Sequence, residues 1–207
     1  MRGMRILRYG ERAVLLEVGA ARVNDYAAAI EQLDDHDIVA IVPAAETVLV
    51  QARHSSAIGG LSFRLETIEP LQREDYTTDG VVIDVRYDGE DLDWVAEETG
   101  LGSDGVIAAH SSVEYRVQFC GFSPGFAYLS GLDPLLQLPR RASPRTRIPA
   151  GALAIAGPYT AVYPTSSPGG WHLLGSTDAV LFDARRFEEG LSPSLLQPGQ
   201  TVRFRPV

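Results

Sequence analysis

The sequence predicts an α+β protein, with a small N-terminal α/β domain over residues 1–76 and a β-barrel domain over residues 77–207. Three observations predict it. Strand-like and helix-like runs alternate through the N-terminal third. From Tyr115 onward, runs of three to six apolar residues alternate with Pro/Gly turns, as in an all-β barrel or sandwich. Between these regions, Gln72 to Gly80 (QREDYTTDG) is polar and lacks hydrophobic periodicity, which marks a domain boundary.

The elements follow in order. Arg12 to Val18 (RAVLLEV) is a β-rich run preceded by the turn pair Gly10-Glu11. Asn24 is placed to cap a helix over Asp25 to Leu33, where Tyr26, Ile30 and Leu33 share a face. Ile38 to Val42 and Thr47 to Gln51 read as strands separated by Pro43-Ala44-Ala45. Ser55 to Leu65 reads as a second helix, weakened by Gly59-Gly60. Val81 to Tyr87 alternates as a strand. Asp91 then caps a short helix carrying Leu92, Val95 and Ala96, which stops at Gly100. Ser103 starts another helix ending at His110, and the chain closes on a strand after the turn Pro198-Gly199.

Composition narrows the function. No apolar run approaches the ~20 residues needed to cross a bilayer, and MRGMRILRYGERAVL lacks a signal-peptide core, so the expectation is a cytoplasmic protein without membrane contact. A single cysteine, Cys120, excludes an intrachain disulfide and a cysteine zinc cluster. Net charge −9 argues against nucleic-acid binding. The chain has no lysine, which removes Schiff-base and P-loop lysine chemistry together.

The most informative passage runs from Phe119 to Thr177. It is basic, at +3 within a chain that is otherwise −12, and rich in proline, glycine and aromatic residues. Pro139-Arg140 and Pro144-Arg145 present guanidinium groups from a stiffened backbone, suited to bidentate recognition of a carboxylate or phosphate. Pro149-Ala150-Gly151 and Ser167-Pro168-Gly169-Gly170-Trp171 supply tight turns whose N–H groups suit an anion. Of the four histidines, none has metal-ligand spacing, and His110 is the candidate proton shuttle. Cys120 reads as packing rather than as a nucleophile. The acids Asp88, Glu90, Asp91 and Asp93 read as helix-dipole partners rather than as a metal site.

These residues also carry a resemblance. Gly121-Phe122-Ser123-Pro124-Gly125-Phe126, Pro139-Arg140-Arg141, Pro144-Arg145, Ile148-Pro149-Ala150-Gly151, Ile155-Ala156-Gly157, Tyr163-Pro164 and Ser167-Pro168-Gly169-Gly170-Trp171 resemble the allophanate hydrolase subunit 1 family. That family is also described as the B-type subunit of 5-oxoprolinase and as the sporulation-kinase inhibitor family. Upstream, Tyr87 to Leu92 and His110-Ser111 match as well. The resemblance implies a small α/β domain and a cyclophilin-like barrel, working with a homologous allophanate hydrolase subunit 2-type chain and a third protein. Together they would form an ATP-dependent 5-oxoprolinase, with ATP, and Mg alongside it, bound by the complex.

It further implies catalytic roles for His110, Arg140 and Arg145, and a ligand surface for a small carboxylic acid. That surface comprises Phe122, Pro124, Phe126, Pro149, Gly151, Gly157, Thr160, Tyr163, Pro168, Gly169, Gly170 and Trp171. The turn amides near Gly157 and Gly169 would support developing negative charge. Two positions depart from the family pattern. Gly157-Pro158-Tyr159-Thr160 stands where Gly-x-Gln-Thr is expected, and Gly175-Ser176-Thr177 where Gly-Arg-Thr is common. The alternative reading is a regulatory module that inhibits a histidine kinase; autonomous prolyl isomerase activity ranks third.

Overall fold

The computed structural model describes residues 4–71 and 80–207, so the expected boundary segment falls, apart from Gly80, outside the described residues. The chain divides into two compact units, Met1–Tyr76 and Thr77–Val207.

Alternating apolar residues build the first unit's sheet. Its strands are β1 (Arg5–Tyr9), β2 (Ala13–Glu17), β3 (Ile38–Pro43) and β4 (Thr47–Ala52), all antiparallel in the order β1-β2-β4-β3. On β4, Val48, Val50 and Ala52 point inward, as a period of two requires. They pack with Val14 and Leu16 of β2 against helices α1 (Val23–Glu31) and α2 (Ile58–Glu66), through Tyr26, Ile30, Ile58, Leu61 and Leu65.

Three sequence expectations shift here. β1 is an addition, because RILRY has two arginines in five residues and none of its side chains is buried, so it carries no strand signal. Asn24 lies inside α1, which begins at Val23 after a 3₁₀ turn and has Arg22 at its N-cap, with no side-chain cap. The expected helix from Ser55 splits into a 3₁₀ turn, Ser55–Ala57, and α2. Gly59 and Gly60 cost α2 about 1 kcal/mol each relative to alanine. Full burial of Leu61 and Leu65 outweighs that.

The second unit is built on a seven-stranded sheet, β12-β9-β10-β7-β6-β13-β5. Its strands are β5 (Val81–Val85), β6 (Tyr115–Cys120), β7 (Ala127–Ser130), β9 (Ala152–Ala156), β10 (Tyr159–Val162), β12 (His172–Ser176) and β13 (Thr201–Pro206). A separate hairpin pairs β8 (Arg145–Ile148) with β11 (Ser167–Gly169). β13 runs parallel to β5, and the other pairings are antiparallel. The two ends of the sheet meet in a bridge where the Arg86 N–H donates to Ser176 O at 2.9 Å and the Ser176 N–H to Arg86 O at 2.7 Å. The wall is therefore a nearly closed barrel.

β9 is buried on both faces, so its two faces serve two cores. Leu153 and Ile155 face a core shared with α3 (Leu92–Thr99) and α4 (Gly102–Ser111) through Val95 and Val106. Ala152, Ala154 and Ala156 face a second cluster with Phe126, Ile148, Tyr163 and Trp171. Small residues on this face let large rings lie close to the wall. Among the described residues no helix is long and apolar enough to cross a membrane.

Candidate functional site

The loop from Pro139 to Arg145 carries the candidate arginines, and one carboxylate fastens it. Asp91, 4% exposed, precedes α3. Its Oδ1 accepts hydrogen bonds from Arg141 Nη1 at 2.7 Å and Arg145 Nη2 at 2.9 Å. Its Oδ2 accepts from Arg145 Nη1 at 2.9 Å and from the Leu173 N–H at 2.7 Å. Burial works to raise the Asp91 pKa, but the hydrogen bonds from Arg145 and Leu173 and the charges of both arginines outweigh it. The carboxyl is held below its ordinary range. This corrects the reading of Asp91 as a helix-dipole partner: its side chain makes no capping bond and instead clamps the loop.

The clamp also corrects the expectation for Arg145. Its guanidinium is occupied by Asp91 and, at 3.2 Å, by Glu90, so it positions the loop rather than meeting a ligand. Arg140 is different. It is exposed, pairs with no carboxylate among the described residues, and has its guanidinium carbon 6.0 Å from the Trp171 ring centre.

His110 does not suit a proton shuttle. It is fully enclosed at the end of α4, and burial pushes its pKa down to about 3. The Thr160 hydroxyl donates to Ala154 O at 3.1 Å, so its oxygen accepts the Nε2–H of His110 at 2.9 Å. Nδ1 then carries the lone pair and accepts the Tyr87 O–H at 2.8 Å. Both nitrogens are satisfied, the ring is neutral, and no surface is left for substrate. Thr160 belongs to this network and not to a ligand surface.

The expected aromatic positions do gather on one face. Phe126 touches Phe122, Tyr128, Tyr163 and Trp171 at ring-centre distances of 5.3, 5.0, 5.2 and 5.7 Å. Phe126, Tyr163 and Trp171 are buried and form the support, whereas Phe122 is 64% exposed. Phe122 also holds a φ of 73°, an uncommon conformation for a bulky residue. Pro124 and Pro168 are exposed at the edges.

Two of the expected glycines, Gly151 and Gly169, are explained by packing. A Cβ on Gly151 would strike Thr177 O, and one on Gly169 would strike the Tyr163 hydroxyl. The Gly151 N–H donates to Tyr163 O and the Gly157 N–H to Leu138 O, so neither amide is available for an oxyanion, contrary to expectation at Gly157. Pro149 is exposed in the turn before Gly151, and the Gly170 carbonyl accepts the Arg141 N–H.

Beside the clamped loop lies a cavity of about 410 Å³, lined by Trp94, Glu98, Leu138, Pro139, Arg140, Arg141, Ala142, Ser143 and His172. One wall is α3, where Trp94 and Glu98, four residues apart, share a face that excludes the buried Leu92, Val95 and Ala96. The Trp94 indole stacks on His172 with centres 4.5 Å apart and planes 12° from parallel. The His172 Nε2–H donates to Pro139 O at 2.8 Å.

Trp94, Glu98, Arg141 and His172 are cavity residues that sequence reasoning passes over. An aromatic off the apolar face of α3 is the available signal for Trp94. Cys120 is half-buried and burial raises its pKa to about 11, which suits packing. Among the described residues no group of three or more His, Cys, Asp or Glu side chains is placed to hold a metal ion.

The chain matches the family model described as carboxyltransferase domain, subdomain C and D, over residues 4–192. It is 38% identical to the B-type subunit of 5-oxoprolinase from Escherichia coli O157:H7 over 221 residues, covering 100% of this chain and 97% of that protein. It is 40% identical to the corresponding 5-oxoprolinase chain of Haemophilus influenzae over 174 residues, covering 82% and 80%. The crystal structure of TTHA0988 superposes with a TM-score of 0.81 at 36% identity, covering 95% of this chain; the chain spans 40% of that protein's length. The chain thus belongs to the carboxyltransferase subdomain C and D family, within its group of B-type 5-oxoprolinase subunits.

Proposed function

We propose that the chain is the B-type subunit of an ATP-dependent 5-oxoprolinase, which opens the lactam of 5-oxoproline to glutamate. It acts in the cytoplasm with a homologous second subunit and a third chain, and its barrel is of the cyclophilin-like type. The observation that carries this reading is the match to the Escherichia coli 5-oxoprolinase chain across this whole sequence and 97% of that relative. No observation favours the kinase-inhibitor alternative.

The geometry supports one contact. With Arg141 and Arg145 held by Asp91, Arg140 is the guanidinium of the loop that remains open to the substrate carboxylate. We assign no triphosphate to the same place, because two of the three loop arginines are already engaged by Asp91. ATP with Mg therefore belongs, in this proposal, to the assembled complex, and no step on this chain runs through it. This chain's part is to bind and orient the lactam acid.

The test is to reconstitute the three chains and follow ATP-dependent glutamate release from 5-oxoproline. Loss of one charge-assisted hydrogen bond, about 1.5–3 kcal/mol, raises KM of the Arg140→Ala complex roughly tenfold or more. An unchanged KM removes Arg140 from the site. A well-formed complex with no glutamate release overturns the function.

A further inference from the structure

Two nitrogen atoms at the cavity beside α3 are buried and have no hydrogen-bond partner: Arg141 Nε and His172 Nδ1. Their chemistries are opposite. Arg141 Nε always carries a proton and donates. The His172 Nε2 faces a carbonyl, Pro139 O, which only accepts, so Nε2 carries a proton, and in the neutral imidazole Nδ1 presents a lone pair. His172 is 3% exposed, so water does not reach it freely. Leaving such groups unfilled is costly, at about 1–3 kcal/mol each. One donor and one acceptor on residues lining a single cavity call for a ligand that offers both an acceptor and a donor.

We propose that this cavity reads the cis N–H/C=O edge of a small amide, with the ligand carbonyl accepting from Arg141 Nε and its N–H donating to His172 Nδ1. The ligand class is lactams, ureas and primary carboxamides. A cavity of about 410 Å³ has room for a five-membered ring. Both nitrogens are covered, so the rim opens on binding. Trp94, stacked on His172 and 44% exposed, is the side chain that swings away. The ring amide of 5-oxoproline has the required edge, and in that identification the inference rests on the proposed function. A carboxylate alone is the wrong partner, because it meets the Nδ1 lone pair with its own.

The experiment uses the full chain and four probes: 5-oxoproline, 2-pyrrolidinone, γ-butyrolactone and glutamate. Readouts are the ¹⁵N shift of His172 Nδ1 and tryptophan fluorescence, with Trp94→Phe identifying the responding indole. The two lactams are expected to move both signals, with γ-butyrolactone, which has the same ring but no N–H, at least tenfold weaker. His172→Phe keeps an aromatic ring beneath Trp94 and is expected to weaken lactam binding at least tenfold. Equal binding of lactone and lactam, binding by glutamate alone, or no response of wild-type His172 to any probe overturns the proposal.

The reconstituted complex separates the two readings. Glutamate release with KM unchanged by His172→Phe sinks the cavity assignment and leaves the function standing. Lactam binding in the cavity of a complex that does not hydrolyse 5-oxoproline does the reverse.

Discussion

Two histidines are buried in the same unit, His110 fully and His172 at 3% exposure, and their surroundings use them differently. Around His110 every polar atom is answered: Tyr87 and Thr160 take the two ring nitrogens, and Tyr115 donates to the His110 carbonyl at 2.7 Å. Around His172 one nitrogen holds the Pro139 loop and the other is unmatched at a cavity. Burial by itself therefore does not separate architecture from a binding site; in our proposal, an unmatched valence on a residue that lines a cavity does. Sequence alone favours His110 because it ends a helix, a position that is visible locally, whereas the Ser167 to Trp171 turn just before His172 draws attention to its own residues and not to that imidazole.

Three predictions break or sharpen this contrast. The largest effect belongs to the clamp beneath the His172 region. Asp91→Asn leaves two guanidiniums short of their carboxylate and is expected to destabilise the second unit by about 3–5 kcal/mol in urea titration. A loss under about 1 kcal/mol would reduce the clamp to the standing of a surface pair.

The next effect falls on the His110 side. Thr160→Val strips the acceptor from His110 Nε2–H and should cost about 1–3 kcal/mol while leaving KM for 5-oxoproline unchanged. A raised KM with normal stability would return His110 and Thr160 to the reaction.

The smallest effect per step is a pH slope. His110 has a folded pKa of about 3, below its ordinary unfolded value of about 6.5. The unfolded chain thus binds a proton that the native chain refuses. Stability is full above about pH 6.5 and falls by about 1.4 kcal/mol per unit as pH drops toward 3. Asp91 adds a second loss only in stronger acid, from about pH 3.9 down through its lowered folded value. Denaturation midpoints measured from about pH 7 to about pH 4 would test this, and a flat profile would mean that His110 is solvated.

Much of the fold is readable because its signals are local. The alternation of Thr47–Ala52, the stop at Gly100 and the turn at Pro198-Gly199 each need only a few neighbours. β1 escapes because a charged edge strand has no buried face to announce it. The site is readable only in part. Composition reveals the guanidinium loop and the aromatic face, but not the role of each arginine. Asp91 lies 50 residues from Arg141 and 54 from Arg145, so nothing near Asp91 in the chain reveals what it binds. Gly151 and Gly169 look like anion donors because the sequence shows a missing side chain but not the backbone or ring that takes its room.

The bridge between Arg86 and Ser176 has a consequence for association. It sews the seven-stranded wall to itself, so that wall has little raw margin on which a foreign strand can grow. The four-stranded sheet still ends in β1 and β3, where backbone groups stand ready for another chain. Among the described residues, the borders open to added strands are these two and those of the β8–β11 hairpin.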